Sequence, residues 1–93
     1  MPGQSLTAVT VDVPPGDVSP PHHHAGFVFV YVLQGTVESQ LNAEPSKRFV
    51  VGDTWVEPPG TLHARMTNPS KTEPARILAV FVAPDGAELT TMQ

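Results

Sequence analysis

The four histidines of this 93-residue chain carry its clearest chemical signal. Three are consecutive, His22-His23-His24, and the fourth, His63, follows a Pro-Gly turn. Imidazole is the commonest side-chain metal ligand. Because side chains alternate along a strand, His22 and His24 point to one face and His23 to the other. The turn can bring His63 back beside them, so the spacing predicts a metal site built from His22, His24 and His63.

Two plainer interpretations of the histidine run remain open at this point. A run of three histidines could belong to an expression tag, although tags are usually longer and terminal, and this run is internal. The histidines could also be surface residues of a loop. Neither alternative requires His63 to lie beside the run, so the position of that ring separates them from a metal site.

Length and composition indicate one small domain rich in turns. We expect a single domain over residues 1–93, with its core within residues 6–82. A hydrophobic content of 40% suits a globular fold, and 11 prolines with 7 glycines leave little room for long helices. The absence of cysteine excludes disulfides, thiolate catalysis and thiolate metal ligands.

Charge and hydropathy exclude some partners. A net charge of −4 offers no basic stripe for nucleic acid and no polybasic patch for a membrane surface. No apolar run has the length of a transmembrane helix. The N-terminal residues MPGQSLTAV lack a basic segment followed by an apolar one, so we expect the chain as it stands to be cytoplasmic; the alternative is a chain whose signal peptide has been removed.

Eight short segments have the composition and alternation of β-strands. They are residues 6–13, 18–24, 27–33, 36–41, 47–51, 54–57, 62–67 and 75–82. Turn residues separate them at short intervals, which predicts an antiparallel sandwich or small barrel. The continuous apolar run at 27–33 is expected to be buried on both faces. Residues from Ala83 onward are expected to form an extension, with a fragment of strand at Leu89.

These segments and histidines resemble the cupin superfamily of double-stranded β-helix proteins. The first cupin motif runs Gly, five residues, His-x-His, three or four residues, Glu, six residues, Gly. Gly16, His22, His24 and Gly35 match it. The second runs Gly, five residues, Pro-x-Gly, two residues, His, three residues, Asn. Gly52, Pro58, Gly60 and His63 match it, and Asn68 comes one residue late.

The resemblance implies an all-β fold, a single small cupin-type β-barrel or jelly roll. It implies metal ligation by His22, His24 and His63. The motif's glutamate position is occupied by Val28 or Phe29, neither of which can bind a metal. The expected cofactor is a divalent transition metal (Fe, Ni, Cu, Zn or Mn), held by three neutral ligands with positions left open.

The resemblance also implies a function. We expect a metal-dependent cupin acting on a small organic molecule, either an iron dioxygenase or a Lewis-acid isomerase or lyase. The alternatives are a non-catalytic module that binds a small ligand or metal, and a metal-free barrel in which the histidines hydrogen-bond a ligand. Arg65 shares the strand face of His63 if the strand is regular and could hold a substrate carboxylate; the alternative is an exposed arginine near the mouth of the barrel. Glu57, beside Pro58, is a second candidate, as an acid behind the metal ligands, and the alternative is a solvated strand end.

The apolar run at 27–33 also predicts an oligomer. Seven consecutive apolar residues present more hydrophobic surface than the interior of a small barrel readily covers. Because two-fold homodimers are the commonest oligomers, we expect a homodimer. The glycines at the predicted reversals, Gly35 and Gly60 among them, are expected to adopt positive φ.

Overall fold

A computed structural model describes residues 2–88 and 90–92, which contain ten strands. The strands are β1 Gln4–Val13, β2 Val18–Ser19, β3 His22–His24, β4 Phe27–Gln34, β5 Thr36–Leu41, β6 Lys47–Val50, β7 Thr54–Glu57, β8 Leu62–Thr67, β9 Ala75–Pro84 and β10 Thr90–Met92. The predicted strand at 18–24 is divided into β2 and β3. Leu89, where a strand fragment was expected, lies outside the described residues.

The strands form two antiparallel sheets of a jelly roll. One sheet has the order β1-β9-β4-β7, and the other has the order β10-β3-β8-β5-β6, with β2 also paired to β8. The all-β, cupin-type prediction of the fold is confirmed. Strands that follow one another in sequence are often apart in space, so the site depends on pairings between distant segments.

The core lies between the inner faces of the two sheets. The first sheet supplies most of it, and Val37 and Met66 extend it from the second sheet, with Leu41 and Phe49 packed against it. The first sheet contributes Val13, Val28, Val30, Val32, Trp55, Ala75, Ile77, Ala79 and Phe81. Most of these residues are valine, isoleucine or aromatic, which suits a pleated surface covered on one side.

Strand β4 is buried on one face, so the expectation that it is buried on both was wrong. Val28, Val30 and Val32 are at most 2% exposed, whereas Phe27 and Leu33 are 37% and 39% exposed. The reason is that an antiparallel sheet needs only one face covered, and no described element packs on the outer face of this one. Leu6 of β1 and Val56 of β7 are exposed as well.

Two glycine turns fix the ends of the strands that matter for the site. Gly35 has φ 73°, and a Cβ there would lie 2.6 Å from the Pro74 carbonyl oxygen. Gly60 has φ 85° in the turn that leads into β8 and its His63. The predicted positive φ is confirmed at both. Within residues 2–88 and 90–92, no helix is long and apolar enough to span a membrane.

Candidate metal centre

Strand pairing brings three of the four histidines together. His22 and His24 lie two residues apart on β3, and His22 is directly paired with His63 on β8. The ring centroid of His22 lies 4.9 Å from the ring centroid of His24 and 4.9 Å from that of His63. One nitrogen from each ring lies within 4.8 Å of the others, so the three form a group that could hold a metal ion.

Hydrogen bonds to neighbouring groups orient the three rings. The His22 Nδ1–H donates to the Pro20 carbonyl oxygen at 2.9 Å, which leaves Nε2 with a free lone pair in the neutral ring. His24 Nδ1 and Thr90 Oγ1 are hydrogen-bonded at 3.1 Å, and His63 Nε2 and Ser39 Oγ at 2.8 Å. Partners of this kind fix the tautomer and orientation of imidazoles that bind metals.

His63 is the most deeply placed of the three rings. It is 3% exposed, whereas His22 and His24 are half-buried. Burial, followed by the charges that His22 and His24 can carry, lowers the pKa of His63 from 6.5 to about 4. The ring is therefore neutral near pH 7, which is the state that can bind a metal.

Glu57 of β7 is buried against the same rings. It is 2% exposed, and the Trp55 indole N–H donates to its Oε2 at 2.9 Å. Glu57 Oε2 lies 3.5 Å from His63 Nδ1, and Oε1 lies 3.6 Å from His24 Nε2. Oε1 is buried and has no hydrogen-bond partner among the described residues. The structure therefore brings Glu57 to the histidines.

Arg65 is not brought to the site, although its spacing suggested the face of His63. The pairing of β8 with β5 shifts between His63, opposite Leu41, and Arg65, opposite Gln40, so Ala64 is an extra residue in β8. Such a bulge reverses the alternation of side chains. Arg65 is accordingly exposed, and Met66 is buried instead.

The same bulge accounts for the late asparagine of the second motif. Asn68 follows His63 with four residues between them where the motif has three, and the bulge inserts one residue into this interval. Asn68 is 2% exposed. Its Nδ2 donates to the carbonyl oxygens of Val13 and Glu73 at 3.1 and 2.8 Å. It ties β8 to the end of β1, which is a structural role.

The three histidines and Glu57 line a cavity of about 280 Å³. The other lining residues are mainly apolar: Val9, Val11, Val28, Val30, Trp55, Met66, Ile77, Ala79 and Phe81, with Ser19 and Thr90. No lysine or arginine lines the cavity among residues 2–88 and 90–92. Val9 and Val11 remain more than a third exposed, so the cavity reaches solvent beside β1.

The donor set fits a divalent transition metal. Imidazole nitrogens suit Zn, Cu, Fe and Ni, and a carboxylate oxygen extends that range toward Mn. The Oε1 atom of Glu57, buried without a hydrogen-bond partner among the described residues, is an acceptor whose lone pair a cation would satisfy. His23 does not line the cavity; its backbone pairs with Leu62 and Thr91 on either side.

Two further features of the sequence point to this site. Ser39 lies on the same face of β5 as Val37, which is fully buried, and a polar residue on such a face needs a partner. Its partner is His63. The link between Trp55 and Glu57 follows from their two-residue spacing on β7, which places both on the inner face.

Comparison with known proteins agrees with this architecture. The family model described as "Cupin domain" matches residues 9–81. Germin-like protein 5-1 of Oryza sativa subsp. japonica is 33% identical over 89 residues, covering 87% of this chain and 39% of the relative.

Solved structures of the same fold include two named for a reaction. The DMSP lyase DddQ of Ruegeria pomeroyi DSS-3 superposes with a TM-score of 0.81 at 25% identity, covering 96% of this chain and 43% of that one. Lactobacillus farciminis oxalate decarboxylase, in a formate complex, has a TM-score of 0.79 at 25% identity, covering 94% and 26%. This chain thus spans about two fifths or less of the length of these proteins, and it belongs to the cupin family.

Proposed function

We propose that this chain is a metal-dependent cupin enzyme whose metal is held by His22, His24 and His63. The observation that carries the proposal is the convergence of three imidazoles, each held by a hydrogen bond, on one apolar cavity. A purely structural metal site is closed by its protein ligands, whereas a catalytic one borders a space for substrate. The cavity here provides that space.

The cavity supports a small and largely apolar substrate. Its volume of about 280 Å³ is at or below the low end of the roughly 300–1,000 Å³ typical of sites for drug-sized ligands. Because no lysine or arginine lines the cavity in the described part of the chain, a substrate carboxylate or carbonyl has the metal as its cationic partner there. We therefore propose a short organic molecule with one oxygen-bearing group at the metal and an apolar remainder.

For the reaction we propose non-oxidative bond cleavage of the lyase or decarboxylase type. A bound divalent metal supplies Lewis-acid polarisation of a coordinated oxygen. The side chains of Val28, Val30 and Phe81 exclude water from the apolar part of the substrate. The choice of reaction class is supported by the fold shared with a DMSP lyase and an oxalate decarboxylase, and it rests on analogy.

The proposal is tested with untagged protein, stripped with chelator and then reloaded separately with Mn²⁺, Fe²⁺, Ni²⁺ and Zn²⁺. Each form is incubated anaerobically with short-chain carboxylic acids and carbonyl compounds, and with polyhydroxylated acids of similar size. We expect turnover of an apolar compound by at least one loaded form, with none by the stripped protein.

Two outcomes would contradict the proposed chemistry. Turnover that appears only when the incubation is repeated in air, with oxygen uptake measured by an oxygen electrode, would favour the dioxygenase interpretation over the lyase. Binding of a compound by the loaded protein without any conversion would indicate a non-catalytic binding module.

A further inference from the structure

The glutamate expected from the first cupin motif is missing from β4, but a carboxylate stands on the neighbouring strand. With the three-residue spacing of the motif, its position falls on Val28, which is 1% exposed and points to the core. Strand β7 pairs with β4 so that Glu57 is directly opposite Val28. Side chains directly opposite in an antiparallel pair have Cβ atoms about 4.5–5.5 Å apart on one face.

We propose that Glu57 is a fourth ligand of the metal, so that β7 supplies the carboxylate that β4 lacks. This inference rests on the metal site of the proposed function. It concerns Oε1 in particular, because Oε2 is held by the Trp55 indole N–H and Oε1 has no hydrogen-bond partner among the described residues. This hydrogen bond fixes the carboxylate with Oε2 3.5 Å from His63 Nδ1 and Oε1 3.6 Å from His24 Nε2.

Distances support ligation. Glu57 Oε1 lies 3.6 Å from His24 Nε2, which is too long for a hydrogen bond. Two ligands that each lie about 2.0–2.2 Å from one ion are at most roughly 4.4 Å apart, whatever the coordination number. The 3.6 Å separation of these two atoms is compatible with both binding one ion. Glu57 is not among the residues whose ligand atoms already lie within 4.8 Å of one another, so ligation requires its carboxylate to move toward the histidines as the metal binds.

The electrostatic position of Glu57 points the same way. The carboxylate is 2% exposed, and neither lysine nor arginine lines its cavity in the described part of the chain. A buried carboxylate that accepts a single hydrogen bond from a neutral donor is costly. A divalent cation among His22, His24 and His63 would offset that cost. The loaded site then carries one negative ligand, in contrast to the neutral set expected from the sequence.

The test uses Co²⁺ alone as the probe, titrated into chelator-stripped wild type, Glu57→Gln and Glu38→Gln. Glutamine keeps the acceptor for Trp55 but is a poor metal ligand. Glu38→Gln is a matched control, because this substitution removes the same charge from a surface ion pair with Arg48. Affinity is measured by calorimetry and ligand geometry by the visible ligand-field bands of Co²⁺.

We expect E57Q to weaken Co²⁺ binding by more than the roughly 10–100-fold typical of a lost outer-shell partner, with altered ligand-field bands. E38Q should match wild type. The double variant V28E/E57Q should recover affinity, because position 28 lies opposite position 57. If E57Q has the ligand-field bands of the wild type and its Co²⁺ affinity falls by no more than roughly 10–100-fold, ligation is overturned and Glu57 is a positioning residue.

A measurement on the wild type alone keeps the proposal testable if E57Q does not fold. The infrared difference spectrum between Co²⁺-loaded and stripped protein should show a shifted carboxylate stretch, and its absence would overturn ligation. A wild type that binds Co²⁺ without this shift refutes only the role of Glu57. A wild type that binds no Co²⁺ refutes the proposed metal site as well.

Discussion

Acidification of the metal-free protein should destabilise it through His63. The pKa of this histidine is about 4 in the folded chain and 6.5 as the ordinary value, so the unfolded chain binds more protons between these pH values. Stability from this group is fully present above pH 6.5. It is lost as pH falls toward 4, and no more is lost below that.

The size of this effect follows from the two pKa values. At about 1.4 kcal/mol per pH unit, the change from 6.5 to about 4 gives a loss of about 3 kcal/mol. For a domain of this length, that corresponds to a melting temperature lower by about 10–25 °C. The assay is urea unfolding in the presence of a chelator at several pH values between 7 and 4.

The control variant is His63→Gln, which cannot take up the proton. Carboxylates elsewhere also titrate in this range, and they contribute equally to both proteins. The difference in unfolding free energy between wild type and variant should therefore shrink by about 3 kcal/mol on going from pH 7 to pH 4. If the two proteins lose stability in parallel, burial does not hold the His63 ring neutral.

Three further changes have defined outcomes. Ser39→Ala removes the hydrogen-bond partner of the buried His63 Nε2, so the unfolding free energy should fall by about 1–3 kcal/mol in urea; an unchanged value would remove Ser39 from the account. Metal at 100 times its dissociation constant should stabilise the fold by about 2.7 kcal/mol, and identical melting curves for loaded and stripped protein would speak against a bound ion. Light scattering should give a dimer for wild type and a monomer for Val80→Glu, which lies opposite Phe29 on the partly exposed sheet; a monomeric wild type at tens of micromolar would refute the dimer.

Much of the fold was predictable because its signals are local. Alternation and turn residues gave β5, β7 and β8 with the bounds that the structure has. The two-residue spacing of His22 and His24 was enough to place both on one face of β3. The Pro-Gly turn before His63 indicated a reversal, and the structure brings that ring beside His22.

The rest depended on pairing that local patterns do not encode. The register that sets Glu57 opposite Val28 joins segments 29 residues apart, so the carboxylate could be suspected but not placed. The bulge at Ala64 moves Arg65 to the exterior, and no residue type in this segment indicates that a bulge is present. One face of β4 is partly exposed because no described element covers that face of the sheet. The apolar run by itself does not tell which faces are covered.

Metal content measures the central claim most directly. Untagged wild type and the alanine variants of His22, His23, His24 and His63 are stripped, reloaded with Zn²⁺, desalted and analysed for metal. We expect about one ion per chain in wild type and in H23A, because His23 does not line the site, and little in the other three variants. Retention of the ion by H22A, H24A and H63A, or its absence from wild type, would contradict the account.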